Sequence, residues 1–175
     1  MSKTIEQAVA EQGLTLPAIP TPRGLFLPWS RLGNQLFLAG QICERDGDVL
    51  YPGKVGSEFD LETGKLAAQA CALNLLAELS DAVDGDFSRV VRCVRMNGFV
   101  NVAPGFHDVP LVINGASELF VALFGDAGRH ARTAIGVATL PGNAAVEVEA
   151  VHKACRIQPF FYRYVSSASG FGQAL

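Results

Sequence analysis

Apolar positions in residues 65–83 recur at helical spacing, with Ala68, Ala72, Leu75, Leu76, Leu79 and Val83 in one stripe and Leu66, Ala70, Leu73 and Ala77 widening it. A stripe that wide predicts a helix buried against a sheet. Residues 108–124 predict a second long helix. Asp108 stands at the cap position, Pro110 falls in the first turn, and Val112, Leu119, Phe120, Leu123 and Phe124 lie along the later turns before Gly125. A shorter amphipathic helix is expected over residues 3–12 from Ile5, Ala8 and Val9, with Gly13 as its C-cap.

Between these segments the pattern changes to β-branched and apolar runs. Residues 25–31 and 35–39 flank Leu32-Gly33-Asn34, a turn signal, and predict a β-hairpin whose second strand ends at Gly40. Residues 43–58 carry Asp46-Gly47-Asp48 and Pro52-Gly53 and predict loop, with room for one short strand. Residues 90–102 predict a strand in which Gly98 marks a bulge or a close approach. Two more strands are expected at residues 131–139 and 145–154. The order β-β-α-β-α-β-β defines an α+β fold in which both main helices cover one face of a mixed sheet. The other face must find cover elsewhere, which predicts association between subunits. Ile135, Val137, Val146 and Val148 are candidates for that face, the choice depending on strand register.

The organisation follows: an N-terminal helix and Pro-rich arm at residues 1–23, a folded domain at 24–155, and an aromatic extension at 156–175. The tail cluster Phe160-Phe161-Tyr162-Arg163-Tyr164 favours an anchor against the body or a neighbouring subunit over a base-stacking platform. A net charge of −3 over 175 residues offers no broad positive field, so nucleic acid is not expected as a partner. Cys43, Cys71, Cys93 and Cys155 are widely spaced and read as small buried hydrophobes rather than a metal or redox cluster. The first residues carry Glu6 and Glu11 where a secretory leader would be basic, and no uninterrupted apolar run approaches the ~18 residues of a membrane span. A cytoplasmic protein without membrane partners is expected.

Candidate chemistry lies near the C-terminal end of the domain. Arg132 stands near the mouth of one predicted strand and Glu147 and Glu149 on a strand expected to return beside it. Arg matches a carboxylate bidentately, and such bonds contribute roughly 1.5–3 kcal/mol each where water is partly excluded. A glutamate a few ångströms from a bound acid could position or deprotonate a water, which points to hydrolysis. Alternating Glu147 and Glu149 are also what a solvated strand face shows, with Arg132 as a cross-strand ion-pair partner.

The blocks at residues 32–42, Ala68-Gln69-Ala70, Ala131-Arg132-Thr133-Ala134, Leu140-Pro141 and Glu147-Val148-Glu149-Ala150 together resemble the YjgF/RidA-like family, also called the endoribonuclease L-PSP family. The resemblance runs from about Gly24 to Ala154. Residues 97–101, 103–106 and 113–117 are similar to a divergent branch of longer members. The resemblance implies a chorismate-mutase-like fold, a homotrimer with a ligand cleft at each subunit boundary, and hydrolysis of reactive enamine and imine acids such as 2-aminoacrylate to 2-oxo acids and ammonia. No metal or organic cofactor is implied. By position, Arg132 matches the arginine that grips the substrate carboxylate, and Glu147 the glutamate associated with the attacking water. Gly40 and Asn114 match cleft-lining positions. Phe26 stands where the deaminases have Tyr, Ala39 where they often have Ser, and Ala134 where many have Cys. Carboxylate recognition is expected to survive these differences. A trimer that binds a small carboxylate metabolite without turnover is the alternative they raise.

Overall fold

The computed structural model describes residues 3–155, and the expected aromatic tail lies outside them. The first helix, α1 (Ile5–Glu11), is fixed by a reciprocal cap in which Thr4 accepts from the Gln7 N–H while the Gln7 side chain accepts from the Thr4 N–H. Gly13 follows at a φ of 71°. Strand β1 (Trp29–Leu32) is shorter than the sequence pattern predicts. Pro28 has no N–H to give to a ladder, and only its carbonyl joins, accepting from Ala39 at 2.8 Å. Strand β2 (Gln35–Ile42) passes through Gly40 instead of ending there, because the register against its neighbour shifts between Leu38 and Gln41. That irregularity absorbs Ala39 and Gly40 without stopping the strand.

The loop region holds a small hairpin, β3 (Glu44–Arg45) with β4 (Asp48–Val49), two short strands where one was expected. Helix α2 (Leu61–Ala82) begins four residues earlier than the apolar stripe suggests. Asp60 is the reason: its carboxylate accepts from the Thr63 N–H at 2.8 Å and starts the helix one turn upstream. After β5 (Val90–Asn101) comes α3 (Val109–Phe124), where Asp108 sits at the cap position without making a side-chain cap bond. Strands β6 (Ala131–Val137) and β7 (Val146–Ala154) complete the fold.

The five long strands form one mixed sheet in the order β1-β2-β7-β5-β6, with β5 and β6 parallel and the other pairs antiparallel. Helix α2 packs over β2 and β7, while α3 packs over β5 and β6 and against α2. Both helices therefore share one face, as the element order requires. The core between them is apolar and closed: Leu36, Leu75, Leu79, Met96, Val100, Ile113 and Phe120 are all fully buried. His152 is buried there too, its ring centroid 5.3 Å from that of Phe120. The segment Val109–Gly128 is long and apolar enough by length and composition to cross a membrane. Asn114, Ser117 and Glu118 interrupt it, and its apolar side is laid into this core.

Register decides which side chains reach the opposite face. Val146 and Val148 are fully buried beneath the helices, which corrects their place among the candidates for the uncovered face. Ile135, at 45% exposure, lies on the open side opposite Phe99. Of the cysteines, Cys43, Cys71 and Cys93 are buried as expected, whereas Cys155 is exposed just past the end of β7.

Close packing of α3 depends on two glycines. Ile113 sits over Gly98, where an added Cβ would meet the Ile113 side chain at 2.5 Å, and Gly115 faces the backbone of Lys65 on α2. The sequence expectation of a close approach at Gly98 is met by this helix. A methyl group on Gly115 would overlap the Lys65 carbonyl, which cannot turn aside as a side chain can. Gly115→Ala is expected to destabilise the fold by about 2–3 kcal/mol, read as a drop in Tm of roughly 5–10 °C. An unchanged Tm would show that the two helices are not held at this distance.

Candidate functional site

The bulge in β2 builds one half of the site. It brings the Gly40 backbone beneath Glu147, so that any Cβ at position 40 would overlap Glu147 Oε1. The backbone angles at Gly40 are ordinary, so a side chain there would act by displacing the flexible end of Glu147. Around this contact lies a cleft of about 320 Å³, lined by residues 20–23 of the Pro-rich arm and by Phe26, Gly40, Gln41, Glu78 and Glu147. The arm is pinned by Arg23, which pairs with Glu44 and donates to the Gly47 carbonyl at 2.8 Å. Ala39 precedes Gly40 with its N–H already committed to Pro28. Glu147 is half-buried, and loss of water followed by the nearby charge of Glu149 raises its pKa.

Glu78 is a further carboxyl of the cleft, which Glu44 also lines. It projects from α2, is fully buried, and accepts from Gln41 Nε2 at 2.6 Å, while Oε2 has no partner among the described residues. Burial pushes its pKa up to about 9, against the smaller opposing effect of the Gln41 bond. At neutral pH it is therefore a carboxylic acid and carries an O–H donor.

The other half lies on β6. Arg132 is exposed and lays its guanidinium along α3, where Nη1 donates to Asn114 Oδ1 at 2.8 Å and to Ser117 Oγ at 3.0 Å. Nη2 donates to the Pro110 carbonyl at 3.0 Å. Three acceptors on one helix thus fix the plane of the fork while it stays open to solvent. Ala134 follows on the same face with no polar group to offer. His130, just ahead of the strand, contacts Ser117 Oγ through Nε2 at 3.1 Å and the Gly128 carbonyl through Nδ1 at 2.6 Å. Burial, then the charge of Arg132, lowers its pKa.

Sequence spacing suggested that Arg132 and Glu147 would stand on adjacent strands a few ångströms apart. The topology corrects this. β5 lies between β6 and β7, and the register aligns Arg132 with Met96 on the helix-covered face, whereas Glu147 aligns with Phe99 on the opposite one. Two strand spacings, about 10 Å across the sheet, about as much again along it, and the sheet itself separate them. The simple ion-pair reading is also corrected: Glu149 accepts from Asn97 Nδ2 at 2.7 Å. Asn97 in turn accepts from Arg95, which also reaches Thr133. Phe26, Gly40 and Glu147 are thus brought together in one cleft, and Arg132, Asn114 and Ala134 at the other edge of the sheet.

Glu78, Gln41, Ser117 and His130 were not singled out from sequence. Two signals were present: a glutamate inside the Leu75–Leu79 apolar stripe, and a histidine two residues before Arg132, hence on the same strand face.

Residues 6–153 match the family model described as "YjgF/chorismate_mutase-like, putative endoribonuclease". The chain belongs to this YjgF/RidA family, and its α+β fold is the chorismate-mutase-like one. It is similar to protein TCP17 of Trypanosoma cruzi, with 41% identity over 140 residues that cover 79% of this chain and 87% of that protein. A crystal structure of Atu1372 from Agrobacterium tumefaciens, a protein of unknown function, superposes with a TM-score of 0.80 at 40% identity, covering 87% and 94% of the two chains. A 2-iminobutanoate/2-iminopropanoate deaminase from Dermatophagoides farinae is 26% identical over 138 residues, 79% of this chain and 92% of its own.

Glu78 yields a stability prediction with a definite sign. A carboxyl whose folded pKa is raised from 4.5 to about 9 contributes its full stability below pH 4.5 and loses it as pH rises through 9. Glu78→Gln keeps the shape and the acceptor for Gln41 but cannot ionise. Its unfolding free energy relative to the wild type should therefore grow between pH 5 and pH 9, by up to about 1.4 kcal/mol per pH unit. Parallel stability profiles would mean that Glu78 is ionised in the folded protein.

Proposed function

We propose that this chain hydrolyses small reactive enamine and imine acids of the 2-aminoacrylate type to 2-oxo acids and ammonia. The observation that carries the reading is the posture of Arg132: three acceptors hold its fork flat on α3 while its outer edge stays exposed to receive a carboxylate. Protonation of the enamine gives an electrophilic imine carbon. Water adds to that carbon, the carbinolamine collapses, and ammonia leaves. Glu147, with its raised pKa, is suited to take a proton from the attacking water. The deaminase relative supports this choice of chemistry. Water and proton transfer suffice for it, so the reading invokes no cofactor.

Because the two halves lie on opposite faces of one sheet, the proposal includes assembly. In a homotrimer the Arg132 edge of one copy meets the Glu147 cleft of the next, and each boundary holds one site. The sheet face opposite the helices, with Ile135 and Phe37 exposed, is the surface available for this closure. A second reading is favoured by Phe26, Ala39 and Ala134, which offer no polar side-chain group: the same clefts hold a small carboxylate without turning it over.

Two measurements test these proposals. With 2-aminoacrylate generated in situ, the wild type should accelerate ammonia release over buffer. Arg132→Ala should lower kcat/KM by about a hundredfold or more, and Glu147→Gln should lower kcat by roughly 10²–10⁴. No acceleration by the wild type, with calorimetric binding of 2-oxo acids retained, would establish the binding protein instead. Light scattering should give three times the 18.6 kDa chain mass, and a single-chain mass would remove the shared site.

A further inference from the structure

The contacts of Ser117 form a chain of hydrogen bonds that runs to Arg132 on one side and through His130 to Gly128 on the other. A guanidinium only donates, so Arg132 Nη1 gives its proton to Ser117 Oγ at 3.0 Å. A carbonyl only accepts, so His130 Nδ1 carries the proton shared with Gly128 O at 2.6 Å. In a neutral imidazole Nε2 is then bare, and at 3.1 Å it is a nearer and stronger acceptor for the Ser117 hydroxyl than the Met96 thioether sulfur at 3.9 Å. The lowered pKa of His130 keeps the ring in this neutral form at pH 7.

A hydroxyl pointed at a bare imidazole nitrogen, with the ring held in that tautomer by a third group, is the arrangement of an activated nucleophile. Here the third group is a backbone carbonyl instead of a carboxylate. Two further conditions are met. Ser117 and His130 are half-buried and not sealed in the core. The guanidinium places fixed positive charge 3.0 Å from Oγ, and its exposed edge selects a substrate that carries a carboxylate. Asn114 contributes to the same posture by holding Nη1 at 2.8 Å.

We infer that Ser117 is a catalytic nucleophile, with His130 as its general base, and that the Arg132 edge of this protein hydrolyses small activated esters bearing a free carboxylate. Ser117 Oγ attacks the ester carbonyl carbon, forming the Oγ–C bond as its proton passes to His130 Nε2. The tetrahedral intermediate collapses, the bond to the alcohol oxygen breaks, and that oxygen takes the proton from Nε2. Water then attacks the acyl-serine, giving a proton to Nε2, and Ser117 leaves with that proton restored. One ester and one water become one acid and one alcohol. This activity shares Arg132 with the imine reading but needs neither Glu147 nor turnover of an imine.

The full chain can be tested with 4-nitrophenyl hydrogen succinate as substrate and an alkyl fluorophosphonate as a covalent probe. Nitrophenolate release is expected, with the phosphonate adduct mapped by peptide mass spectrometry to Ser117. Ser117→Ala and His130→Gln should each reduce release at least a hundredfold. The neutral ester 4-nitrophenyl acetate should be the poorer substrate, and Arg132→Ala should erase the difference between the two. Ser117→Cys provides a readout independent of the alanine variant's folding. With native circular dichroism it should accumulate an acyl-thioester at position 117. Release at the wild-type rate by folded Ser117→Ala, an adduct confined to another residue, or a folded Ser117→Cys that stays unacylated would each overturn the inference. Ammonia release from 2-aminoacrylate is a separate signal, so failure of one activity is not read as failure of the other.

Discussion

The distance between α3 and its neighbours governs the whole Arg132 end of the molecule. Gly98 lets Ile113 settle onto the sheet, and Gly115 lets the helix backbone approach that of Lys65 on α2. Once α3 is set at that depth, Asn114, Ser117 and the Pro110 carbonyl fall within hydrogen-bond reach of one strand-edge arginine. A helix displaced outward would leave Arg132 a long, mobile side chain whose rotamer freedom any ligand would have to remove. Packing in the core is thus converted into preorganisation at the surface, and two residues without side chains make it possible.

Desolvation does comparable work in the cleft half. Glu78 and Glu147 line the same cavity, and both are held toward the neutral form by loss of water. The extent differs because their surroundings differ. Glu78 is enclosed beneath α2 with one amide partner, whereas Glu147 sits on the open side over a glycine and beside Glu149. Two carboxyl groups with unequal proton affinity in one cavity can serve as donor and acceptor at the same pH. His152 shows the same physics without a site: enclosed against Phe120, its pKa is pushed down to about 3, and neither ring nitrogen has a partner among the described residues.

Periodicity made the fold legible in sequence. The α2 stripe, the β-branched strands and the turn at Gly33-Asn34 each carry a local signal, and their order leaves few architectures. Boundaries were less legible where one side chain decides them: Asp60 starts α2 a turn early, and Pro28 delays β1. The site was legible only in its residue types. Arg132, Glu147, Gly40 and Asn114 stand out, but their mutual placement depends on β5 inserting between β6 and β7. That is a long-range pairing to which no local pattern responds. The parity that sends Arg132 to the helix face and Glu147 to the other is likewise a matter of register. Glu78 was hidden because a buried glutamate within an apolar stripe looks like an interruption until its partner Gln41 is found on a strand 37 residues away.

Phe26, Ala39 and Ala134 take polar side chains out of the region where the family resemblance implies them. The structure shows that polar chemistry is still plentiful in this chain, but placed differently. One set is buried behind the cleft wall, in Glu78 and Gln41. Another lies on α3 and ahead of β6, in Ser117 and His130, joined to Arg132 by hydrogen bonds. Replacing Tyr, Ser or Cys by Phe or Ala therefore does not empty the site of proton donors. It moves them from the lining of the cleft to its floor and to the helix beside the carboxylate grip. A carboxylate held by Arg132 would lie beside the Ser117 hydroxyl and the His130 imidazole, with Glu147 of the same chain on the opposite face of the sheet.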